Sequence, residues 1–287
     1  MRCSVDARDG GAPGVPCLRC GPWGAGRVGV PVVMAHSPDF LVVIPAYNEG
    51  SRLGRFLEEL LPALGAAGFG VDVVVVDDGS IEGESAAMRR VVDELRGRFG
   101  FLRPMLRLDA NRGKGGAVYA AWRGEGAAAW LAFVDADGAV PPREVVRLMR
   151  MARDSGDRSL CVMAARIKML GHEVSRHLHR HLIGRVFATM VHLLTGTGAY
   201  DTQCGFKIVP REVFGRISPL LAEARYCFDV ELICRLERIG ARIIEVPIDW
   251  SDRPGSKVRL GRDSIDMALA LLRIRKRLMG AGPRRAG

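Results

Sequence analysis

Apolar residues along the chain form short continuous runs that predict buried strands. Three such runs, at residues 41–46, 71–76 and 130–134, are rich in valine and other strand-forming residues. A fourth strand is predicted near residues 102–108, where the run is interrupted. Buried runs of this length are typical of the parallel strands at the centre of an α/β protein.

Between these runs, apolar residues recur at the three- and four-residue spacing of an amphipathic helix. The first such segment carries one stripe of six residues: Leu53, Phe56, Leu57, Leu60, Leu61 and Leu64. Further helices are predicted near residues 86–99, 114–122 and 143–152. Alternating strands and helices with right-handed crossovers predict an α/β fold, in which a doubly wound, mostly parallel sheet carries helices on both faces.

The two ends of the chain differ from this central pattern. Residues 1–37 are rich in Gly, Pro and Arg without a sustained period, so we expect a disordered N-terminal extension. A translation start at Met34 instead of Met1 is an alternative, and a chain beginning there is expected to keep its fold and activity. The folded domain is predicted at residues 38–260, followed by a basic amphipathic helix and tail at residues 261–287.

Composition narrows the class of protein. The 287 residues are 48% hydrophobic, which is ample for a core and excludes a disordered protein. A formal charge of +10 indicates nucleic acid, anionic lipid or a phosphorylated substrate as the partner. Seven cysteines in a chain of this length do not indicate a disulfide scaffold. Cys17 and Cys20 have C-x-x-C spacing, but no second pair completes a zinc site.

Carboxylates follow two of the predicted strands. Asp77 and Asp78 end the second run before Gly79 and Ser80, where an Asp side chain would be able to accept the N3–H of a uracil ring. An Asp-Gly turn that caps the next helix explains the same residues equally well. Asp135 and Asp137 follow the third long run, and alternate carboxylates at a strand end are able to converge on Mg²⁺ or Mn²⁺ beside a diphosphate.

A glycine-rich segment, Asn-Arg-Gly-Lys-Gly-Gly at residues 111–116, opens a predicted helix. It indicates phosphate contact through backbone amides and Lys114. No Ser or Thr follows this lysine, so the segment is not a P-loop, and no G-x-G-x-x-G follows the first strand. Sugar nucleotides are therefore favoured over dinucleotide cofactors.

Taken together, the motifs resemble family 2 glycosyltransferases of the GT-A fold. Pro-Ala-Tyr-Asn-Glu at residues 45–49 and Asp-Asp-Gly-Ser at residues 77–80 are shared widely in that family. More particular are Asp-Thr-Gln-Cys-Gly-Phe-Lys at residues 201–207, Phe-Asp-Val-Glu-Leu at residues 228–232 and Gly-Ser-Lys at residues 255–257. These resemble the glucosyl branch of the family, which acts on dolichyl-type phosphates.

The resemblance implies roles for individual donor-site residues. Four would surround the nucleoside: Pro45, Tyr47, Glu49 and Asp77. Others would bind the rest of the donor: Asp78, Lys114, Asp135 and, in a loop that closes over the diphosphate, Arg253 and Lys257. Asp135 and Asp137 would face the metal. Mannosyl relatives usually have a metal-binding Gln where this chain has Ala139, and this departure favours the glucosyl branch.

Three arginines are the predicted acceptor-phosphate site. Arg166 ends a predicted strand, and Arg176 and Arg180 lie four residues apart near the start of a helix. The same helix carries an apolar stripe that would lie on a membrane and guide a polyprenyl tail: Leu178, Leu182, Val186, Met190 and Leu194. An ordinary helix packed on the sheet, with a solvated basic face, is the alternative and is preferred when the resemblance is set aside.

The C-terminal segment combines an apolar face with basic residues. Its predicted apolar face is Ile265, Ala268, Leu269 and Leu272, and it runs into Arg273, Arg275, Lys276 and Arg277. This pattern indicates peripheral contact with an anionic membrane surface, expected on its cytoplasmic face. A helix docked on the domain with a frayed basic tail is the alternative.

These features predict an inverting hexosyltransferase that moves glucose from UDP-glucose to a polyprenyl phosphate. The acceptor phosphate is ionised near pH 7, so a strong base is unnecessary, and Asp229 or Glu231 would orient the acceptor or the sugar beside catalytic Asp137. Mannosyl or other hexosyl transfer on the same fold is the alternative. A nucleic-acid-binding module is disfavoured because the chain shows no stacking platform or base-reading helix. The oligomeric state stays open.

Overall fold

The computed structural model describes residues 37–124, 126–167, 174–175, 178–251 and 262–280. Within these ranges, the side chains at 174–175, 178–183, 185 and 262–264 are outside the description.

A seven-stranded sheet forms the centre of the fold. Its strands are β1 (Phe40–Ala46), β2 (Val71–Asp77), β3 (Leu106–Arg107), β4 (Trp130–Val134), β5 (Leu160–Ala165), β7 (Phe206–Pro210) and β8 (Arg242–Pro247). The spatial order is β3-β2-β1-β4-β7-β5-β8, and only β7 runs antiparallel to its neighbours. A separate parallel pair joins β6 (Val174–Ser175) to β9 (Trp250–Ser251). The predicted α/β class with a mostly parallel sheet is confirmed.

The helices of the described residues connect these strands. They are α1 (Leu53–Gly65), α2 (Glu82–Arg96), α3 (Lys114–Gly124), α4 (Pro142–Asp154), α5 (Leu178–Thr195), α6 (Arg211–Ile217), α7 (Phe228–Arg238) and α8 (Arg262–Gly280), with a 3₁₀ turn at Ser218–Leu220.

The sheet separates two hydrophobic cores because successive strand residues point to opposite faces. Phe40, Val42 and Ile44 of β1 pack with α1, α2 and α4 on one face, whereas Leu41 and Val43 pack with α3, α6 and α7 on the other. A third cluster joins α5, α7 and α8. Helices thus cover both faces, and the loops at the carboxyl ends of the parallel strands are left to build a site.

One predicted strand is much shorter than expected. The run at residues 102–108 forms only a single bridge at Leu102 and the two-residue β3. Pro104 lies between them and has no N–H to donate to β2, so the pairing is interrupted there.

No helix among the described residues combines the length and the apolar character needed to cross a bilayer.

Candidate functional site

The turns that follow β1 and β2 are braced against each other. Asn48 adopts a left-handed backbone conformation, with φ of 51°. Its N–H donates to Ser80 Oγ over 2.8 Å, and its Oδ1 accepts the Ile81 N–H over 3.1 Å. Gly79 is required beside them, because a Cβ there would lie 2.5 Å from the Ala110 carbonyl carbon. These contacts hold the two strand ends together.

Four of the predicted nucleoside-binding residues lie on these braced ends. Tyr47 is 39% exposed, whereas Pro45 is half-buried and Glu49 is buried. Glu49 accepts two 2.8 Å hydrogen bonds from the Arg52 guanidinium, a contact that fixes its carboxylate at the start of α1.

Asp77 is the fourth of these residues and is fully buried. Its Oδ1 accepts the Ser80 N–H over 2.9 Å. Its Oδ2 has no hydrogen-bond partner within the described part of the chain, and Arg107 Nε lies 3.7 Å away. A buried carboxylate oxygen that accepts no hydrogen bond is energetically unfavourable. A ligand N–H that donates to Asp77 Oδ2 would remove this cost.

Asp78 holds the glycine-rich loop. Its two oxygens accept the N–H groups of Arg112 and Gly113 over 2.7 and 2.8 Å. Burial raises the pKa of Asp78, and these two hydrogen bonds oppose the rise. The Gly116 N–H is also engaged, donating to Ala224 O over 3.0 Å. These three amides therefore serve the protein itself, not the phosphate contact expected from the sequence, and Asp78 positions the loop.

Lys114 reaches from this loop to the carboxylate at the end of β4. Its Nζ lies 2.7 Å from Asp135 Oδ1 and 5.0 Å from the centre of the Phe133 ring. Burial by itself would lower the pKa of Lys114, but the charges of Asp135 and Asp229 outweigh it, and the pKa is raised. The structure thus brings three predicted site residues into one charged cluster.

Asp137 completes the acidic part of this cluster. Burial and the neighbouring Asp135 raise its pKa, although its Oδ1 accepts the Ala139 N–H over 2.9 Å. Within the described ranges, no three His, Cys, Asp or Glu side chains form a metal site by themselves. Asp135 and Asp137 nevertheless fit a hard divalent cation, because they are oxygen ligands whose mutual repulsion a cation would relieve; donor or water oxygens would complete the shell.

The 201–207 segment packs directly behind the cluster. Gly205 O accepts the Asp135 N–H over 3.0 Å, and a Cβ at Gly205 would lie only 2.2 Å from Asp135 Oδ2. Lys207 is fully buried, donates to Cys204 O over 2.7 Å and pairs with Asp229 Oδ1 at 2.9 Å. Burial raises the pKa of Asp229, and the positive charges of Lys207 and, to a lesser extent, Lys114 oppose this rise. Asp229 therefore belongs to the charged cluster.

Glu231 is not brought to this cluster. Its Oε2 accepts the N–H groups of Ala222 and Glu223 over 2.9 and 2.6 Å, and its Oε1 accepts from Arg277 Nη1 over 2.9 Å. Both oxygens face a loop and α8. The geometry therefore makes Glu231 a positioning residue, and direct contact with a substrate stays a sequence prediction.

Arg166 forms a largely buried ion pair at the end of β5. Its Nε and Nη2 donate to Asp201 over 2.8 and 2.7 Å, and its backbone N–H donates to the same carboxylate over 2.8 Å. The guanidinium carbon lies 5.5 Å from the Trp250 ring centre. Because the charges of Asp201 and Arg166 offset each other, the pair has little net charge to offer a lipid phosphate.

Several predicted site residues lie outside the residues that the structure describes. Arg176, Arg253 and Lys257 are not among the described residues, and the same holds for the side chain of Arg180. Their roles in binding acceptor phosphate and donor stay predictions.

Sequence reasoning assigned no role to four residues that support the site: Asn48, Arg52, Gly205 and Lys207. Gly205 and Lys207 stand inside a motif singled out in the sequence, but the motif does not say which strand they contact. Their positions follow from the antiparallel pairing of β7 with β4, which the sequence did not predict.

Comparison with known proteins agrees with this geometry. Residues 41–218 match Glycosyl transferase family 2. A dolichyl-phosphate beta-glucosyltransferase of Dictyostelium discoideum is 31% identical over 249 residues, covering 83% of this chain and 74% of the relative. The Homo sapiens protein of the same name is 31% identical over 255 residues, covering 83% and 75%.

Solved structures show the same fold at lower sequence identity. Glucosyl-3-phosphoglycerate synthase from Mycobacterium tuberculosis, in complex with Mn²⁺, UDP and phosphoglyceric acid, has a TM-score of 0.60 at 14% identity, covering 84% of this chain and 78% of that one. Mannosyl-3-phosphoglycerate synthase from Rubrobacter xylanophilus has a TM-score of 0.58 at 17% identity, covering 87% and 77%. From its motifs, its sheet and these relatives, the chain belongs to glycosyl transferase family 2.

Proposed function

We propose that this chain transfers glucose from UDP-glucose to a polyprenyl phosphate of the dolichyl type, with inversion at the sugar. The observation that carries the proposal is the contact between the Asp135 cluster and the 201–207 segment, because it unites the general donor motifs with the segment typical of the glucosyl branch. The names of the curated relatives support the same reaction.

The donor is proposed to lie along the carboxyl ends of β1, β2 and β4. Asp77 Oδ2 accepts no hydrogen bond from the described residues and suits the imide N–H of uracil, and Tyr47 offers a ring at the rim. Lys114, whose Nζ lies 2.7 Å from Asp135 Oδ1, would hold the diphosphate. Asp78 would support this lysine by holding the N–H groups of Arg112 and Gly113 just before it.

Asp135 and Asp137 would hold Mg²⁺ or Mn²⁺ at this site. When bound, the cation would supply Lewis-acid stabilisation of the charge that develops on the departing diphosphate. Lys114, paired with Asp135, would supply positive charge to the diphosphate oxygens and so share this task.

The reaction proposed is a single in-line displacement. An oxygen of the acceptor phosphate forms a bond to the anomeric carbon, and the bond from that carbon to UDP breaks with its electron pair leaving on the diphosphate. The attacking phosphate is already ionised, so no protein base has to remove a proton. Asp229 is buried against Lys207, which suits it to hold the cluster in position.

The acceptor phosphate is proposed to meet Arg166, Arg176 and Arg180. Asp201 neutralises Arg166, so the other two arginines would have to supply most of the net positive charge. Arg166 would contribute orientation.

Helix α8 is proposed to contact an anionic bilayer peripherally, at the cytoplasmic face. Its buried face is Ala270, Leu271, Ile274 and Leu278, and its opposite face exposes Ile265, Leu269, Leu272 and Met279. Arg273, Arg275 and Lys276 are exposed on or beside this outer stripe. Of the residues predicted for the apolar face, Ile265, Leu269 and Leu272 are exposed, whereas Ala268 is half-buried. An apolar stripe among basic residues suits the surface of anionic lipid.

A panel of labelled nucleotide sugars tests the proposed reaction. Purified protein is incubated with UDP-glucose, GDP-mannose or other hexosyl donors, with polyprenyl phosphate and Mg²⁺ or Mn²⁺. The expected result is lipid-linked glucose in the β configuration from UDP-glucose. If the protein turned over another donor and did not turn over UDP-glucose, the proposed donor would be wrong.

A further inference from the structure

Two buried glutamates and two arginines of α8 form a second charge cluster. Arg277 Nη2 donates to Glu223 Oε2 over 3.1 Å and its Nη1 donates to Glu231 Oε1 over 2.9 Å, so one guanidinium bridges both carboxylates. Arg273 Nη2 lies 3.2 Å from Glu223 Oε1. Glu231 is fully buried and Glu223 nearly so. We call these four residues the charge clamp.

The charge clamp fixes the loop at residues 222–225. Glu231 Oε2 accepts the N–H groups of Ala222 and Glu223, so its carboxylate joins the loop backbone to Arg277. Without Arg277, Glu231 would keep, among the described residues, only the cation of Arg235, 3.7 Å away on its own helix, and Glu223 would keep only Arg273. Two buried carboxylates would thus lose the cation that they share, which is unfavourable. The loop conformation therefore depends on α8.

The other side of this loop supports the donor site. Ala224 O accepts the Gly116 N–H over 3.0 Å, and a Cβ at Gly113 would lie 2.6 Å from the same oxygen. Gly113 and Gly116 flank Lys114, whose Nζ pairs with Asp135. A continuous series of contacts thus runs from α8 through the charge clamp and Ala224 to the lysine at the centre of the site.

We propose that α8 positions the Lys114 loop for donor binding through the charge clamp, an inference that rests on the proposed function for the identity of the donor. Glu223, Glu231 and Arg277 are then positioning residues: they act on the diphosphate through Lys114 without touching it. Helix α8 then supports the donor site indirectly, because its clamp arginines contact Glu223 and Glu231.

Two measurements on full-length protein test this inference. Hydrogen exchange reports the stability of the backbone at residues 111–116, and calorimetry reports the affinity for UDP. The variants are Arg277→Ala and Glu223→Gln, the second of which keeps the side-chain shape if the first does not fold. Arg238→Ala is the matched control, because Arg238 Nη1 donates to Leu278 O and ties α8 to α7 without contacting the loop in that bond.

Both clamp variants are expected to speed exchange at residues 112, 113 and 116 by about 10-fold or more and to weaken UDP binding by about 5-fold or more. Arg238→Ala should leave both values near wild type. Unchanged exchange in the clamp variants would overturn the inference, as would faster exchange with unchanged UDP affinity. An equal effect of Arg238→Ala would assign the result to α8 docking in general and overturn the role of the clamp. If wild type does not bind UDP, the proposed donor fails, while the exchange rates still decide whether the clamp holds the loop.

Discussion

The Asp135 carboxylate lies against Gly205, and the absence of a side chain at that position is what gives it room. The same applies to Gly115, where a Cβ would lie 2.3 Å from Phe228 Cβ. At these two positions close packing, not backbone conformation, requires glycine, because neither has a positive φ. At the residue scale, the position of the charged groups is thus set by neighbouring small residues.

Gly205→Ala is expected to reduce kcat by about 100-fold, because the added methyl group would displace the Asp135 carboxylate from Lys114 and from the diphosphate. Gly215→Ala is the matched control, since nothing lies within 4 Å of a Cβ there. Steady-state kinetics and thermal unfolding of both variants provide the check. A Gly205→Ala enzyme with wild-type kcat would show that the contact does not matter for the reaction.

Asp137→Asn is expected to lower kcat by about 100-fold or more and to reduce the response to added Mg²⁺ or Mn²⁺. The variant keeps the shape of the side chain but removes a charge proposed to face the cation. Metal titrations of activity measure both effects, with the exposed Asp154→Asn as control. Activity and metal response like those of wild type would exclude Asp137 from the metal site.

The sequence predicted some of these residues well and others poorly, for a physical reason. Asp135 and Asp137 were recognisable because a strand end and alternate spacing bring them together locally. Asp78 and Glu231 resemble site carboxylates in the sequence, but both accept hydrogen bonds from backbone N–H groups of loops. The partner of Asp78 lies 34 residues further along the chain, and that of Glu231 lies eight residues before it. Partners of this kind are set by tertiary packing and leave no local pattern.

At the scale of elements, α8 is apolar on two opposite faces. One face completes the cluster with α5 and α7, and the other exposes Leu272 and Met279 by 52% and 69%. The sequence suggested either a membrane anchor or a docked helix, and the structure has a docked helix with a second apolar stripe. Arg277 is not part of a frayed tail, because it bridges Glu223 and Glu231.

The double variant Ile265→Gln with Leu272→Gln is expected to weaken binding to anionic vesicles by about 10-fold or more, since each side chain would lose burial in the bilayer interface. Its melting temperature should stay near wild type because both side chains point outward. Sedimentation with vesicles measures the binding, and Met151→Gln on α4 is the control. Vesicle binding equal to that of wild type would place the docking surface elsewhere.

At the scale of the whole molecule, the largely buried Arg166–Asp201 pair is expected to contribute to global stability. Burial alone would raise the pKa of Asp201, but the Arg166 charge and its hydrogen bonds outweigh burial and lower the pKa from an ordinary 3.8 to about 2. A lowered folded-state pKa means that the stabilisation is complete above pH 3.8 and is lost as the pH falls towards 2.

Asp201→Asn is therefore expected to lower the free energy of unfolding by about 2 kcal/mol near pH 7. The difference from wild type should fall to roughly half at pH 3, because part of the wild-type pairing is then lost by protonation. Urea unfolding at the two pH values measures this change. A difference that stayed constant between them would mean that the Asp201 charge is not the source of the stabilisation.

The place of β7 in the sheet has a consequence for how the protein is made. β4 lies at the centre of the sheet, yet one of its two neighbours, β7, comes only after β5 and α5 in the chain. During synthesis at about 5–20 residues per second, β4 therefore emerges several seconds before the strand that covers its edge. An apolar strand with an uncovered edge is a site for wrong pairing with other chains. The nascent chain is therefore expected to expose a site for wrong pairing in this interval, until residues 206–210 cover the edge of β4.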